Sequence, residues 1–530
     1  MLDELKNFYN IVVKRVSYWL PLLFFTVLAY GFSIFNRTVG IDDLSRDYYI
    51  GSGHAMIAGT RWGMPLWLKI FATKEYVSGL ERLLCVAFLM LAGIAFSAVF
   101  YYLSENKKYS FKYVIASSLL VTYPLFNEIY EYNGANLIVA GNLFIVCAAH
   151  LFLLIENEKH WKRYVVPGIV LSLVASSYES GIFVYITMVF MILFYQYIVQ
   201  KKIKVNQWRW ILDGVLYIIP LIIAVILRVV IGIVLLKVIG IEYVRNGSTG
   251  IYWFEGIIPL VMKIFLVYFQ KGLVYLPIGV FAVSAILFAV YCLARSIKEK
   301  SLFPLIIGAM TGISIFTQAF IQGRAMPYRT AHTLMVFVAF CGLLFTEQFE
   351  VKEKHTTHRR IISNVVTVLL LFLCFRQAVC VNSILTLNNQ RSENEAAIVY
   401  QIGYQLKSEF EDKTVVFVGD YDMGNYISKQ IMADGSTGPE RLLANLRPDL
   451  GEFEYIETNV NSYLLWAKEA FLNQGMMKEY FAYCGFDIQV MDPFDQDQYV
   501  QILDKAKQKE MKPFEIMEID GYNVVCLGAM

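Results

Sequence analysis

Apolar runs of membrane-spanning length recur through the first 381 residues, and no other feature limits the fold of this chain so severely. Crossing the hydrocarbon core of a bilayer takes about 20 apolar residues. Such runs lie at 16–36, 82–103, 113–127, 136–155, 164–178, 181–199, 210–236, 276–294, 302–320, 331–346 and 361–381, about eleven in all. The third is short. Residues 164–199 could form one bent helix, but "SSYESG" in the middle reads better as a turn. Only 17% of the 530 residues are charged, where a soluble domain carries about 25%. The first run lacks a small-residue cleavage site and is read as a retained span.

Charge sets the expected orientation. The segments "ENKKYSFK", "ENEKHWKR", "QKKIKVNQWR", "RSIKEK" and "KEKHTTHRR" each hold three or four Lys/Arg, and the intervening "NEIYEYNGAN" and "SYES" hold none. The positive-inside rule then puts the N-terminus in the cytoplasm. An odd number of spans puts residues 382–530 outside. That tail carries 24 Asp/Glu and 12 Lys/Arg, a net of −12, whereas residues 1–381 carry 20 and 34, a net of +14. The change marks a boundary: 1–381 reads as a membrane domain with outer loops 37–81 and 240–275, and 382–530 as an extracytoplasmic soluble domain. The basic excess fits cytoplasmic loops, and nothing suggests nucleic acid as a partner.

The outer segments 50–80 and 251–275 mix aromatics with Lys and Glu at helical spacing, which favours helices lying in the membrane interface. Were 257–270 instead an extra span, everything downstream would invert. In the tail, "ENEAAIVYQIGYQLKSEF" and "LLWAKEAFLNQGMMKEYFAYCGF" suit helices, and "KTVVFVGD" and "GYNVVCLG" suit strands, so a small α/β domain, doubly wound, is expected. "VGD" after a strand resembles a nucleotide-binding turn, but no GxGxxG accompanies it. Six of the eight cysteines sit in apolar runs as packing residues, while Cys484 and Cys526 could pair outside the cell.

Several polar residues are not explained by the membrane. Asp42 and Asp43 follow the first span, with Arg46 placed to pair with one of them at helical spacing. Arg61 and Trp62 come next. The second outer loop supplies Glu128, Tyr130, Glu131, Tyr132 and Asn133, and the "SYES" turn adds Tyr178 and Glu179. Carboxylates that grip hydroxyls and rings that cover an apolar sugar face make a sugar- or acceptor-binding surface. Arg324 and Arg329 run against the positive-inside trend and, with His332 and Arg46, suit an anion such as a donor phosphate. Arg245 and Lys271 are weaker candidates, and His54 is read as structural. Arg228 lies inside the seventh span, where it faces a protein cavity or snorkels.

Acids and arginines on an outer face suit a phosphate-bearing lipid donor and a polar acceptor. One carboxylate, Asp42 or Asp43, would act as general base on the acceptor hydroxyl, and cations would stabilise the departing phosphate. Asp43 is preferred, since Asp47 at i+4 would raise its proton affinity. Direct displacement inverts the anomeric carbon. The adjacent acids Asp42 and Asp43 could also hold a divalent cation, Mg or Mn, although a monophosphate donor requires no cofactor.

The loop "DDLSR" followed by "GTRWG", the "SYESG" turn, the "RAMPYR" loop and a C-terminal α/β domain resemble the Gtr type II glucosyltransferase family, within the GT-C superfamily of polytopic membrane glycosyltransferases. The resemblance implies a bacterial plasma-membrane enzyme that moves a sugar, often glucose, from undecaprenyl phosphate to a cell-surface polysaccharide such as O-antigen or teichoic acid. It also implies that an acid of the first outer loop, Asp42 or Asp43, is the base. A lipid-linked glycan flippase or a polysaccharide polymerase are the alternatives. A transporter normally shows internal repeats and mid-membrane polar residues; no repeat is visible here, and most of the unusual charges lie at the outer interface.

Overall fold

The computed structural model describes residues 2–36, 38, 54–71, 79–105, 107–156, 160–200, 209–243, 256–265, 268–269, 276–323, 330–350, 357–410, 413–419, 474–492, 495–528 and 530. The first helices in chain order are α1 (Leu2–Phe8), α2 (Val16–Phe35), α3 (His54–Ala58), α4 (Gly63–Phe71), α5 (Gly79–Leu103), α6 (Phe111–Val121), α7 (Phe126–Tyr130) and α8 (Ala135–Ile155). Then come α9 (Lys162–Ser177), α10 (Ser180–Phe194), α11 (Arg209–Ile239), α12 (Ile257–Phe265), α13 (Leu276–Glu299), α14 (Phe303–Ser314), α15 (Thr317–Gln322), α16 (His332–Phe349) and α17 (Thr357–Glu409).

Every expected span has a helix at its place, but among the described residues only eight are long and apolar enough to cross a membrane: α2, α5, α8, α10, α11, α13, α16 and α17. The other three expected spans are α6, α9 and α14, with 11, 16 and 12 residues. At 1.5 Å per residue α6 and α14 cover only about 17 Å of a roughly 30 Å core. Each gives way to a turn and a second short helix, α7 and α15 respectively. Helices satisfy their own backbone, which lipid cannot do. The nine-residue α12 is about 14 Å long and too short to add a crossing.

The bundle packs α5 on α8, α6 on α16, α9 on α11 and α2 on α17. Burial identifies the centre: the span in α16 is 78% buried and that in α11 only 17%, so α11 lies at the lipid edge. Without water between helices, close approach depends on small residues. A Cβ on Gly93 would stand 3.2 Å from the Ser117 carbonyl, and the Ser117 hydroxyl meets the Tyr18 hydroxyl at 2.8 Å, joining α2, α5 and α6. Gly141 of α8 lies under the Trp67 ring of α4. The short helix α4 is therefore seated on the end of the bundle.

The 53-residue α17 runs unbroken past residue 382, about 80 Å by its rise. Leu385 is the last of its residues in the membrane core, and Val399, Ile402 and Leu406 belong to a separate C-terminal core. That core is built on strands β1 (Val415–Val418), β2 (Ile516–Ile519) and β3 (Tyr522–Cys526), in the order β1-β3-β2. β1 runs parallel to β3, and β2 antiparallel to it. The sheet is mixed because Asp520 and Gly521, both at positive φ, turn β2 into β3, as an Asp-Gly hairpin does. Alternate residues face opposite ways. Val415, Phe417 and Val525 pack with α18 (Gln474–Tyr483); Val416, Val418, Val524 and Cys526 pack with Ile502 and Ala506 of α19 (Gln496–Gln508). Cys484 packs on the first face and Cys526 on the second, so the two are free thiols on opposite sides of the sheet. Burial pushes the Cys484 thiol up to about 11, leaving it protonated at neutral pH.

Gly141→Leu would drive a side chain into the Trp67 ring, whose Cη2 lies 2.5 Å from the Cβ position. Overpacking of this kind costs about 1–3 kcal/mol. Thermal unfolding of the purified protein in detergent should show that loss, and an unchanged midpoint would mean that Trp67 is not seated there.

Candidate active site at one end of the bundle

The carboxyl end of α2 meets the amino end of α5, and the meeting is organised by Arg82. Its guanidinium is fully buried. The Nε donates to the Asn133 side-chain oxygen at 3.1 Å, and Nη1 donates to the carbonyls of Ser33 and Asn36, both at 2.9 Å. Nη2 donates to Thr38 Oγ1 at 2.6 Å and to the Thr38 carbonyl at 3.4 Å. A guanidinium has five N–H groups, and all five are used. Thr38 in turn donates to Glu131 Oε2 at 2.6 Å, and that carboxylate oxygen lies 3.7 Å from Nη2. The Tyr130 ring lies 5.7 Å from the guanidinium carbon, and its hydroxyl meets Ser33 Oγ at 2.8 Å. Burial, opposed by the Arg82 charge, holds the Tyr130 phenol well above its ordinary pKa, so it stays protonated.

The same layer continues across the bundle. Phe126 stands 6.2 Å from the His332 ring, and Tyr178 stands edge-on to that ring at 6.3 Å. His332 Nδ1 meets Ser180 Oγ at 3.0 Å, while Nε2 is buried with no partner among the described residues. Beside Ser180, Glu179 accepts from Arg228 Nη2 at 2.6 Å. Arg228 therefore answers its place in an apolar span with an ion pair, both side chains being 22% exposed. Trp62 Nε1 donates to the Arg228 carbonyl at 3.2 Å, and a Cβ on Gly232 would lie 3.2 Å from Thr60, which seats residues 60–62 on α11. Arg61 Nε is buried and has no hydrogen-bond partner among the described residues.

Of the residues expected to act, Tyr130, Glu131, Tyr178, Glu179, His332, Arg61 and Trp62 fall in this one layer. Tyr132 packs against the main core. Glu131 is turned inward, 2% exposed, with its carboxylate held by Thr38 and Arg82. Glu128 lies in α7. Asp42, Asp43, Arg46, Arg324 and Arg329 lie outside the described residues. In the sequence, 39–53 follows directly on Thr38, and 324–329 ends three residues before His332. Among the described residues, no His, Cys, Asp and Glu side chains group as a metal site.

The opposite end of the bundle differs. There Lys112 lies 3.3 Å from Glu347, which also accepts from the Tyr195 hydroxyl at 2.7 Å and from Gln200 Nε2 at 3.2 Å. These charges spend themselves on one another and tie three helices together.

The family model described as Glucosyl transferase GtrII matches residues 31–346, more than half of the chain. The chain belongs to the GtrII glucosyltransferase family. No curated protein matches it. Among solved structures it is similar to the crystal structure of ArnT from Cupriavidus metallidurans bound to undecaprenyl phosphate, at 11% identity and a TM-score of 0.38, over 81% of this chain and 87% of that one.

The match begins at residue 31, so this GtrII glucosyltransferase carries the end of α2, the Arg82 cluster and the Glu179–Arg228 pair inside its family region. Two members of that layer, Arg82 and Thr38, are not singled out by the sequence, whereas Asn133 falls in the loop that it marks. With the second span starting at 82, an arginine at its first position looks like an ordinary flanking charge. The usable signal is "GLERLL", an acid–base pair that the helix places in its first turn, since α5 starts at Gly79.

The Glu179–Arg228 pair should behave as a coupled unit. Glu179→Gln and Arg228→Gln each leave a half-buried charge without its partner. The double variant should be less destabilised than the sum of the singles by about 1–2 kcal/mol, read from thermal unfolding in detergent; strict additivity would show that the two do not interact.

Proposed function

We propose that this enzyme transfers glucose or a related hexose from a polyprenyl-phosphate donor to a cell-surface polysaccharide, on the outer face of a bacterial plasma membrane. The family membership favours a transferase over the flippase and polymerase alternatives. The observation that carries the reading is the bundle end itself. Arg61 Nε and His332 Nε2 are buried there with no partner among the described residues, and segments 39–53 and 324–329 adjoin Thr38 and the start of α16 in the sequence.

In this reading Asp42 or Asp43 takes the proton from an acceptor hydroxyl as that oxygen attacks the anomeric carbon. The new bond forms from the face opposite the leaving phosphate, the C1–O bond to phosphate breaks, and configuration inverts. Arg324, Arg329, Arg46 and His332 would receive the phosphate and its developing charge. Arg61, Trp62, Tyr130, Tyr178 and Glu179 would line the sugar and acceptor side, with Glu128 and Tyr132 nearby. Phosphate leaves without needing a proton, so no cofactor is required; a divalent cation held by Asp42 and Asp43 would be an addition. A lipid donor has an approach along α11, whose Val225, Ile226, Val229 and Val230 are exposed. Further toward and past the carboxyl end of α11, Ile233, Leu236 and Tyr243 line a shallow depression of about 400 Å³. In the same reading residues 1–381 are the catalytic membrane domain and 382–530 an extracytoplasmic domain that guides the acceptor.

Asp42→Asn and Asp43→Asn test the base in membranes supplied with polyprenyl-phosphoglucose and acceptor glycan. One of the two should lower transfer about 10²- to 10⁴-fold with insertion and donor binding intact. Full activity in both removes the proposed base. For orientation, a cysteine at position 420 (Asp420→Cys) should react with an impermeant thiol reagent on intact cells. Reaction only after permeabilisation would reverse the orientation.

A further inference from the structure

Arg228 sits in an apolar span with more donors than it uses. A guanidinium has five N–H groups, and among the described residues the only acceptor for this one is Glu179 Oε1, at 2.6 Å from Nη2. The side chain stays part-exposed on the least buried helix of the bundle. A second guanidinium is brought to the same stretch of α11 under constraint. Thr60 N donates to the Ile57 carbonyl at 2.9 Å and Arg61 N to the Met56 carbonyl at 2.8 Å, closing α3 as a helix that ends on glycine is closed. The residue at the left-handed position is instead Thr60, at φ 59°, which a β-branched side chain adopts only when its surroundings hold it there. Its methyl carbon would lie 3.2 Å from a Cβ on Gly232, and Trp62 Nε1 donates to the Arg228 carbonyl at 3.2 Å. Arg61 is thus fixed between two contacts one helical turn apart on α11, with Nε buried and unpartnered among the described residues.

Two guanidiniums and one carboxylate carry a net charge of +1 beside the exposed apolar positions Val225, Ile226 and Val229. We infer that Arg61 and Arg228 seat the phosphate of the lipid donor, and that Glu179 makes this seat favour the donor over the spent carrier. The inference rests on the proposed reading of a polyprenyl-phosphate sugar as donor, and it puts Arg61 and Glu179 where sugar meets phosphate. The donor is a phosphodiester with one negative charge, which the net +1 balances. When the C1–O bond breaks, its electron pair stays on the phosphate oxygen, and the carrier becomes a monoester with about −1.5 to −2 charges at pH 7. Two arginines alone would hold that product best and delay its departure, a step that limits the turnover of many enzymes. Glu179 keeps one guanidinium occupied and repels the second charge. The carrier therefore loses affinity at the moment the sugar leaves it.

The test measures dissociation constants of short-chain polyprenyl-phosphoglucose, short-chain polyprenyl phosphate and inorganic phosphate for the full-length enzyme in detergent. Arg228→Gln should weaken both lipids about 10-fold, the worth of a charged hydrogen bond. Glu179→Gln should tighten polyprenyl phosphate about 10-fold and the diester less than about 3-fold, and should lower kcat as product leaves more slowly. A merely structural pair would reduce the amount of folded protein and leave the ratio of the two constants as in the parent. An unshifted ratio in Glu179→Gln, or parental affinities in Arg228→Gln, overturns the inference. If a single variant does not fold, the double variant Glu179→Gln/Arg228→Gln, which leaves neither charge unpaired, decides. It should bind both lipids about 10-fold more weakly, and parental binding overturns the inference. Inorganic phosphate should bind about 100-fold more weakly than the lipid, whose buried chain adds affinity; equal affinity would make this a seat for free anions and overturn the lipid assignment. A parent that binds neither lipid and transfers no sugar from the donor overturns the donor reading itself. Binding of both lipids with an unshifted ratio overturns only the role of Glu179.

Discussion

A guanidinium buried away from water must find an acceptor for each N–H inside the protein, and Arg82 meets that demand with groups from two other segments of chain. These two, the end of α2 and the loop before α8, are also joined directly, by Ser33 to Tyr130 and by Thr38 to Glu131. The requirement is more severe here than in a soluble protein, since the alternative is an unsatisfied charge against hydrocarbon. The bond set therefore dictates geometry. Ser33, Asn36 and Thr38 must present their carbonyls along one side, Asn133 must approach from the other, and Glu131 must balance the charge. The bonds converge on Thr38, four residues before Asp42 in the sequence.

The same physics separates the two ends of the bundle. Where Lys112, Tyr195, Gln200 and Glu347 meet, donors and acceptors close on each other, and such a closed network rigidifies without inviting a ligand. At the Arg82 end the network is closed on one flank only. Across the layer, Glu179 and Arg228 are each part-exposed, and Arg61 Nε and His332 Nε2 are buried without partners among the described residues. An end that is rigid on one side and has unspent donors on the other can hold an anion and still keep its shape. Position at the lipid edge matters too: α11, which supplies Arg228, is the least buried of the spans.

The span pattern was legible because lipid imposes one demand, 20 apolar residues in a self-satisfied helix, and composition displays it directly. Length was less legible. Residues 113–127 and 302–320 are as apolar as real spans, yet each breaks into a short helix, a turn and a shorter helix, because Thr122–Pro124 and Ile315–Phe316 leave helical geometry under tertiary packing. The β2–β3 hairpin went unread although "DG" between two short strands is its usual signature; the expected doubly wound order drew attention to parallel pairing. For the site, residue type indicated which loops are chemically unusual, but not which acids face inward. Glu131 and Glu179 look alike as loop carboxylates. Only the fold shows one locked to Thr38 and the other paired to an arginine from the middle of a distant span.

The C-terminal sheet sharpens where the chemistry belongs. A nucleotide-binding turn works by leaving space beyond the end of a strand, so that backbone N–H groups can approach a phosphate. β1 ends in Val418-Gly419, and Gly419 has the positive φ such a turn would use. The space is nevertheless filled by the chain's own end: a Cβ at Gly419 would stand 2.7 Å from the Gly528 carbonyl and 3.1 Å from Met530 Cγ. Leu527 also donates its N–H to the Val418 carbonyl at 2.7 Å. The glycine is there to admit the segment after β3, which continues the β1–β3 pairing. The motif in the tail most suggestive of phosphate is thus accounted for by packing, whereas at the bundle end Arg61 Nε is buried without a partner among the described residues.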